Sequence, residues 1–260
     1  MNKDNRYQVF KELHVPGDPV VLYNVWDSGG AKALTEVGAK AIATSSWAVA
    51  AAHGYSDGEK IPIELALMII ERIVQSTDLP VSMDFEGAYA DSPQEVAKHV
   101  ERVIETGAIG INFEDQIVDG FGLYSIRDQV GRIEAIRTAT DNRKVAFFIN
   151  ARTDVFLKAG EGADHAMLMQ DALERRDAYA KAGANGFFVP GLTNVELIRE
   201  ICANSPIPVN VMMTGELKSV SGAAQLGVSR VSFGPKPYMR AIDKLAWMPT
   251  LGHVLTPRRH

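Results

Sequence analysis

Acidic side chains end two of the short apolar segments of this sequence. Asp84 and Glu86 close one segment, and Glu114 and Asp115 close the next along the chain. Because side chains alternate along a β-strand, Asp84 and Glu86 should share one side, whereas Glu114 and Asp115 should face opposite sides. Three converging carboxylates repel one another unless a cation lies between them. Oxygen ligands with room left for water favour Mg²⁺, with Mn²⁺ as the alternative, so we predict a Mg²⁺ site here.

An arginine ends a third apolar segment. The planar guanidinium of Arg152 suits bidentate recognition of a carboxylate or phosphate, which would place an anion beside the proposed cation. The alternative for Arg152 is an ion pair with Asp154 or Glu114, and both interpretations can hold together. The acidic residues have a similar alternative, in which they pair with basic side chains or cap the next helix. Two acidic strand ends in succession favour the metal site.

Three further polar features are candidates for substrate contacts. The run Thr44–Trp47, with Ser45 and Ser46, offers backbone N–H groups and hydroxyls to an anion, or simply caps a short helix. Asn210 could reach a substrate or close a hydrogen bond inside the protein core. The polar loop after residue 53 is of a kind that often carries function.

The elements that must position these side chains alternate between short β-rich runs and longer helical patterns, which indicates repeated βα units. Eight units can be counted, and eight is the number that closes a barrel. The predicted strands are Val20–Asp27, Ala41–Ser46, Pro80–Glu86, Gly110–Asp115, Ala146–Arg152, Gly186–Gly191, Pro208–Met213 and Arg230–Gly234.

A single (β/α)₈ barrel over residues 1–260, an α/β fold of the TIM type, is therefore predicted, with residues 1–15 as a preceding helix that covers one barrel mouth. An open doubly wound sheet shares the alternating pattern. It normally carries a glycine-rich phosphate turn after its first strand, and the turn Trp26–Lys32 lacks that motif. In the barrel, the acidic residues would meet at the carboxyl ends of the strands, where such folds carry their active sites.

Composition narrows the partners. The formal net charge is −5, and no stripe of lysine and arginine is evident, so we expect no nucleic acid partner. Neither a signal-type segment nor a membrane-spanning apolar run is apparent, so we expect a cytoplasmic protein without a membrane partner. The single cysteine, Cys202, falls in a helical pattern and is expected to be a small buried thiol.

Several motifs together resemble the isocitrate lyase and phosphoenolpyruvate mutase superfamily, in its short mutase-like branch. The likeness spans nearly the whole chain, and its motifs are specific in combination rather than singly. They are Asn24–Asp27 (NVWD), Ala43–Ser46 (ATSS), Gly54–Glu59 (GYSDGE), Val81–Asp91 (VSMDFEGAYAD), Gly110–Gln116 (GINFEDQ) and Ile149–Asp154 (INARTD).

The resemblance implies a barrel whose last helix is exchanged between subunits, giving a homodimer or homotetramer. It also implies Mg²⁺ held directly by Asp84 and through water by the other acidic groups, which are Asp57, Glu86 and Glu114. A small anionic 2-oxo acid would chelate the metal, with its carboxylate on the backbone of Ser45, Ser46 and Trp47 and with Arg152 beside it. On this basis we assign the catalytic part to Arg152, Glu114 and Asp57 and the substrate contacts to Ser45, Ser46, Trp47, Arg152 and Asn210.

The loop after the fourth strand departs from the family. Lyases of the superfamily carry a Lys-Lys-Cys-Gly-His type of motif there, and the mutase carries a lysine and an asparagine. Residues 117–128 contain none of these. The sequence therefore favours decarboxylation or hydrolytic C–C cleavage of a small 2-oxo or 2-hydroxy dicarboxylate such as oxaloacetate, by way of a pyruvate-type enolate.

Other functions stay open on the sequence. Within the superfamily, they are P–C bond chemistry on phosphonopyruvate and cleavage of a methylisocitrate-type substrate. A different kind of barrel, a metal aldolase or phosphosugar enzyme, would bind phosphate at Thr214-Gly215 and Phe233-Gly234. A third class is a catalytically silent barrel that binds Mg²⁺ and an oxo acid.

Overall fold

The computed structural model describes residues 3–160 and 162–246, with the side chains of residues 3 and 4 left aside. Eight β-strands lie at the eight positions that the sequence predicts, each shorter than predicted. Seven of them pass into a loop before the predicted carboxyl boundary, whereas β5 ends at Arg152 as predicted and begins two residues later. The strands are β1 (Val20–Leu22), β2 (Ile42–Ala43), β3 (Val81–Asp84), β4 (Gly110–Glu114), β5 (Phe148–Arg152), β6 (Gly186–Phe188), β7 (Val209–Met212) and β8 (Arg230–Ser232).

All pairs of neighbouring strands are parallel, in the order β1-β8-β7-β6-β5-β4-β3-β2. A parallel bridge between Val25 and Thr44 joins the two ends of this order. Nearby, Asn24 accepts hydrogen bonds from the N–H groups of Phe233 and Gly234 and donates to the carbonyl of Thr44. The predicted (β/α)₈ barrel is confirmed.

One helix precedes β1, and at least one follows every strand. They are α1 (Lys3–Glu12), α2 (Ser28–Glu36), α3 (Ser46–Ala52), α4 (Ile63–Gln75), α5 (Pro93–Glu105), α6 (Ile126–Asn142), α7 (Met169–Lys181), α8 (Val195–Cys202), α9 (Val220–Gln225) and α10 (Lys236–Ala246), with a 3₁₀ turn at His165–Leu168 before α7.

Helix α5 shows how local sequence starts and orients a helix. The hydroxyl of Ser92 accepts a hydrogen bond from the N–H of Glu95, and Pro93 occupies the first helical position, where its missing N–H costs nothing. Val96, Val100 and Val103 follow at helical spacing and are fully buried against the barrel. The polar face is thereby left to solvent.

Two layers of apolar side chains hold the barrel. The larger layer lies between the strands and the surrounding helices. The smaller lies inside the barrel at the amino ends of the strands, where Phe10 of α1 packs edge-on against Phe148 with a centroid distance of 5.1 Å. Helix α1 therefore covers the mouth opposite the acidic strand ends.

His14 follows α1 and is buried in this inner layer, stacked on Phe148. Its Nδ1 donates to the carbonyl of Phe10 over 2.7 Å. Burial, assisted by the positive charge of Arg230, lowers the pKa of His14 from its ordinary value of 6.5 to about 3. Protonation of His14 is therefore unfavourable in the folded state, whereas the unfolded chain binds the proton readily.

This depressed pKa predicts acid sensitivity of the fold. Above about pH 6.5, His14 is neutral in both states and stability does not depend on it. As the pH falls from about 6.5 towards 3, the free energy of unfolding should drop by up to ~1.4 kcal/mol per pH unit from this group. Urea unfolding of the unmodified protein and of His14→Phe at pH 7, 6 and 5 measures the difference; equal pH slopes would contradict the assignment.

Among residues 3–160 and 162–246, no helix combines the length and apolarity that crossing a bilayer requires. The predicted single domain extends to residue 260, and residues 247–260 lie outside the described part of the chain.

Candidate active site

Asp84 ends β3 at the open mouth of the barrel, and both of its carboxylate oxygens accept hydrogen bonds. Oδ2 accepts from the backbone N–H of Ser46 at 2.9 Å and from its hydroxyl at 2.8 Å. Oδ1 accepts from the side-chain amide of Asn112 at 3.2 Å. The carboxylate is thus held from two sides, which fixes the direction of its remaining lone pairs.

Glu86 lies beside Asp84, but not for the reason that the sequence suggests. Strand β3 ends at Asp84, and Glu86 has a left-handed backbone with φ of 51°, so strand alternation does not place it. Its carboxylate instead accepts from the N–H groups of Gly58 and Glu59, at 3.3 and 2.6 Å. The loop that carries Asp57 therefore positions Glu86.

Asp57 and Glu86 share a hydrogen bond between their carboxyl groups. Burial, then the charge of Asp57 and this hydrogen bond, and then Asp84, raise the pKa of Glu86 to about 8. The two carboxyl groups therefore repel each other when both are charged, and a divalent cation beside them would relieve that repulsion.

Glu114 and Asp115 face opposite sides of β4, as predicted. Glu114 points to the mouth and lies 2.9 Å from Nη1 of Arg152. Asp115 points away and accepts from Arg175 and Tyr179 at 2.9 and 2.8 Å, so it belongs to the scaffold. Burial, with other carboxylates nearby, raises the pKa of Glu114 although Arg152 opposes the shift.

Arg152 contacts two acidic residues at once. Its Nε and Nη2 donate to Asp154 at 2.6 and 2.8 Å in a bidentate pair, while Nη1 reaches Glu114. Burial lowers the pKa of Arg152, but Asp154 and Glu114 outweigh that effect and hold it well above its ordinary value. The arginine is therefore a fixed, permanently charged group at the edge of the acidic cluster, which we define as Asp57, Asp84, Glu86 and Glu114.

The acidic cluster fits a hard cation bound mainly through water. Within the described ranges, no three Asp, Glu, His or Cys side chains stand close enough together to hold an ion directly. The donors are carboxylate oxygens, and the four acids of the cluster have one contacting arginine, Arg152. This donor set suits Mg²⁺, which keeps several of its waters and takes one or two carboxylates.

Ser45, Ser46 and Trp47 lie at the start of α3, next to Asp84. The Ser45 hydroxyl accepts from the N–H of Ala48 and caps the helix. Both donors of Ser46 are directed at Asp84. Trp47 lies in the first turn, where backbone N–H groups have no acceptor within the helix. The capping alternative thus describes Ser45, and the predicted anion contacts of these three residues stay predictions.

Asn210 lies inside the barrel rather than at its mouth. It is buried on β7, and its Oδ1 accepts from the hydroxyl of Ser232 at 3.3 Å. The core hydrogen bond considered for it is therefore present, and its contact with a substrate stays a prediction.

Asn112 was missed by the sequence reasoning. It lies on β4 two residues before Glu114, so strand alternation directs both side chains into the barrel, and that spacing could have identified it.

The loop after β4 is tied back at both sides of its tip. Gln116 and Leu123 form an antiparallel bridge, and Lys60 pairs with Asp119. Tyr124 donates to Asp91 at 2.6 Å, and its ring lies 4.1 Å from the guanidinium of Arg132. Movement of Tyr124 into the site would have to break these contacts.

Comparison with known proteins gives a consistent result. A family model described as phosphoenolpyruvate phosphomutase matches residues 10–248. An uncharacterized protein of Mycobacterium tuberculosis is 33% identical over 88% of this chain and 83% of its own length. The 2-methylisocitrate lyase of Escherichia coli is 28% identical over 78% of this chain and 71% of its own length.

Solved structures show the same relation. The crystal structure of a presumed phosphonomutase from Burkholderia cenocepacia has a TM-score of 0.93 at 43% identity, over 96% of this chain and 100% of that one. Phosphonopyruvate hydrolase, in complex with oxalate and Mg²⁺, has a TM-score of 0.81 at 20% identity, over 93% of this chain and 84% of its own. Oxaloacetate acetylhydrolase with the product oxalate has 0.81 at 22%, over 97% and 91%. The last two likenesses concern the fold.

Proposed function

Because this chain belongs to the phosphoenolpyruvate phosphomutase family, of the isocitrate lyase superfamily of lyases and mutases, we propose that it is a Mg²⁺-dependent lyase or hydrolase. Its substrate is a small 2-oxo or 2-hydroxy dicarboxylate such as oxaloacetate. The observation that carries the proposal is the Asp84 carboxylate, which Ser46 and Asn112 hold from two sides at the open mouth of the barrel. Glu86 and Glu114 add negative charge near it, and such a concentration of carboxylates favours a cation.

Four residues would hold the cation. Asp84 has its carboxylate fixed by Ser46 and Asn112 and would be the direct ligand. Asp57, Glu86 and Glu114 would act through water, in agreement with the absence of a three-ligand cage among the described residues. Mn²⁺, which prefers similar oxygen ligands, would substitute for Mg²⁺.

Arg152 would bind and orient the substrate at the edge of the acidic cluster. Asp154 and Glu114 occupy one N–H on each of its three nitrogens, which fixes the plane of the guanidinium. The second N–H of each terminal nitrogen is left to donate to a substrate carboxylate or to the enolate oxygen that forms on bond cleavage. When bound, the cation supplies further stabilisation of that negative charge.

The proton donor must come from outside the usual loop motif. Residues 117–128 contain no cysteine, lysine or histidine, and Tyr124 is engaged by Asp91 and Arg132. Burial and the hydrogen bond to Asp91 raise the pKa of Tyr124 to about 12, so it is a weak acid at neutral pH. This favours decarboxylation or hydrolytic cleavage, in which water moves the proton, over cleavage that needs a loop cysteine.

A substrate panel tests the proposal. Release of pyruvate, oxalate or phosphate is measured on oxaloacetate, substituted malates, 2-methylisocitrate and phosphonopyruvate, with and without Mg²⁺. We expect Mg²⁺-dependent turnover of an oxo-diacid. Turnover of phosphonopyruvate alone would move the assignment to P–C chemistry, in line with the name of the Burkholderia structure. Calorimetric binding of every compound without turnover of any would identify a silent binding barrel.

A second copy of this chain is the partner that we propose. An open groove of about 580 Å³ runs along β1, lined in part by Val15, Val21, Tyr23 and Val37. Val21 points outward from β1 and is 41% exposed, whereas the outward side chains of β3 and β4 are buried under helices. Within residues 3–160 and 162–246, no helix covers Val21 of β1.

Helix α10 has a matching surplus. It is the last described helix, and Pro237 is its one fully buried residue. Met239, Ile242 and Leu245 are exposed along one face. We infer that α10 of each subunit covers β1 of the other, as the exchange of the last helix in the family implies, to give a homodimer or a pair of dimers.

This exchange predicts that Ile242→Asp separates the subunits. A charge placed at the centre of an apolar contact should weaken association by about 2 kcal/mol or more, near thirtyfold in the dissociation constant. Light scattering during size-exclusion chromatography measures the mass against Lys244→Asp, on the opposite face of α10. A monomeric unmodified protein, or equal masses for both variants, would exclude the exchange.

A further inference from the structure

The two oxygens of Asp84 are held by different parts of the barrel. Ser46 binds Oδ2 from the mouth, whereas Asn112 binds Oδ1 from the interior. Asp84 and Asn112 are partners in register on β3 and β4, so they lie side by side in the sheet. Asn112 is buried and makes this contact through its side-chain NH₂ group.

The opposite end of the Asn112 amide is occupied by two donors. Its Oδ1 accepts from the side-chain amide of Asn150 at 2.9 Å and from Nη2 of Arg230 at 3.0 Å. Both donors are buried: Asn150 is the register partner of Asn112 on the neighbouring strand β5, whereas Arg230 reaches it from β8 across the interior of the barrel. Three strands therefore converge on one amide group.

We propose that Asn112 is a positioning residue for the metal ligand Asp84, and that Asn150 and Arg230 set its orientation. This rests on the proposed function, because it concerns the residue that would bind the cation directly. The three residues adjoin Asp84 on its interior side, through Asn112.

The physical basis is the asymmetry of an amide. An asparagine side chain can rotate by half a turn and exchange its oxygen for its nitrogen. In the exchanged state, Asn112 would present its oxygen to a carboxylate oxygen of Asp84 and its NH₂ group to two buried donors, so three groups would lose a partner. Arg230, which can only donate, excludes that state, and Asn150 adds a second donor to the same oxygen. The NH₂ group then always faces Asp84, and the carboxylate keeps one orientation.

The rest of this layer indicates that the contact is specific. Ser82 lies two residues before Asp84 on the same face of β3, and its buried hydroxyl has no hydrogen-bond partner in the structure. Nε and Nη1 of Arg230 and Oδ1 of Asn150 are likewise without partners. Asn150 and Arg230 thus each donate a hydrogen bond to Asn112, although other polar atoms of the same layer have no partner among the described residues.

The test measures Mn²⁺ binding by electron paramagnetic resonance on the purified full chain, without substrate. Loss of a group that orients a metal ligand typically costs ten- to hundredfold in metal affinity, and we expect about that loss for Asn112→Ala. Asn150→Ala removes one of the two orienting donors and should weaken binding by about threefold. Ser82→Ala is the matched control in the same layer and should bind Mn²⁺ as the unmodified protein does.

A double-mutant cycle shows whether Asn150 acts through Asn112. In the Asn112→Ala background, Asn150→Ala should cause no further loss of Mn²⁺ affinity. If the two substitutions instead reduce Mn²⁺ affinity by factors that multiply, Asn150 does not act through Asn112. Urea unfolding of each variant distinguishes loss of metal binding from loss of the folded state. If Asn112→Ala does not fold, Asn112→Ser takes its place in the measurement. If the unmodified protein binds no Mn²⁺, the proposed metal site fails; if it binds and Asn112→Ala binds equally well, only the positioning role fails.

Discussion

Replacement of Asp84 by asparagine is expected to reduce Mg²⁺-dependent turnover by at least about 10³-fold, the largest effect of any single substitution in this protein. Neighbours hold both oxygens of Asp84, and Asp84→Asn removes its charge with little change of volume. Steady-state kinetics over a Mg²⁺ titration should show the loss at saturating as well as at low Mg²⁺.

The control for this variant is Asp78→Asn, which removes an equal charge from an exposed residue paired with Arg6. It should keep the activity of the unmodified protein, because an exposed ion pair contributes at most about 1 kcal/mol to stability and none to the site. Asp84→Asn that retains a tenth of the activity would show that this carboxylate is not the direct ligand.

Arg152→Met should damage both the reaction and the fold. The side chains of Glu114 and Asp154 would lose their shared cation while staying buried, which typically costs about 3 kcal/mol of stability or more. Turnover should fall by about 10²- to 10³-fold at a temperature where the variant is still folded, because the charge that stabilises the enolate is gone. Thermal unfolding and kinetics measure the two effects separately.

Arg152→Lys distinguishes the charge from the geometry. Lysine keeps a positive charge near Glu114 but cannot form the bidentate pair with Asp154. Stability should therefore recover more completely than turnover. Full recovery of turnover with lysine would reduce Arg152 to a generic counter-charge and contradict its role in orienting the substrate.

Much of the fold follows from residues that carry strong local signals. The apolar runs predict the position of every strand, and the Ser92 cap with Pro93 predicts the start of helix α5. Both signals reflect burial and backbone chemistry within a few residues. Strand ends were predicted too long. The loop after Asp84 keeps apolar residues such as Phe85 and Ala88, which are buried without being part of a strand. Hydrophobicity does not distinguish a buried loop residue from a buried strand residue.

The site was predictable where one residue acts through its own strand. The opposite orientations of Glu114 and Asp115 follow from strand alternation alone. Strand alternation does not explain the position of Glu86, which depends on backbone N–H groups of a loop 27 residues earlier in the chain. Asn150, Asn112 and Asp84 are register partners on three neighbouring strands, whereas the contact of Arg230 with Asn112 crosses the closed barrel and follows from no local pattern.

A crystal structure of the protein with Mg²⁺ and oxalate, which mimics the enolate of pyruvate, tests the central claim most directly. We expect a cation about 2.1 Å from an oxygen of Asp84, with water between the cation and the other members of the acidic cluster. We also expect oxalate to contact both the cation and Arg152. Oxalate bound elsewhere, or a mouth that stays free of Mg²⁺ at millimolar concentration, would contradict it.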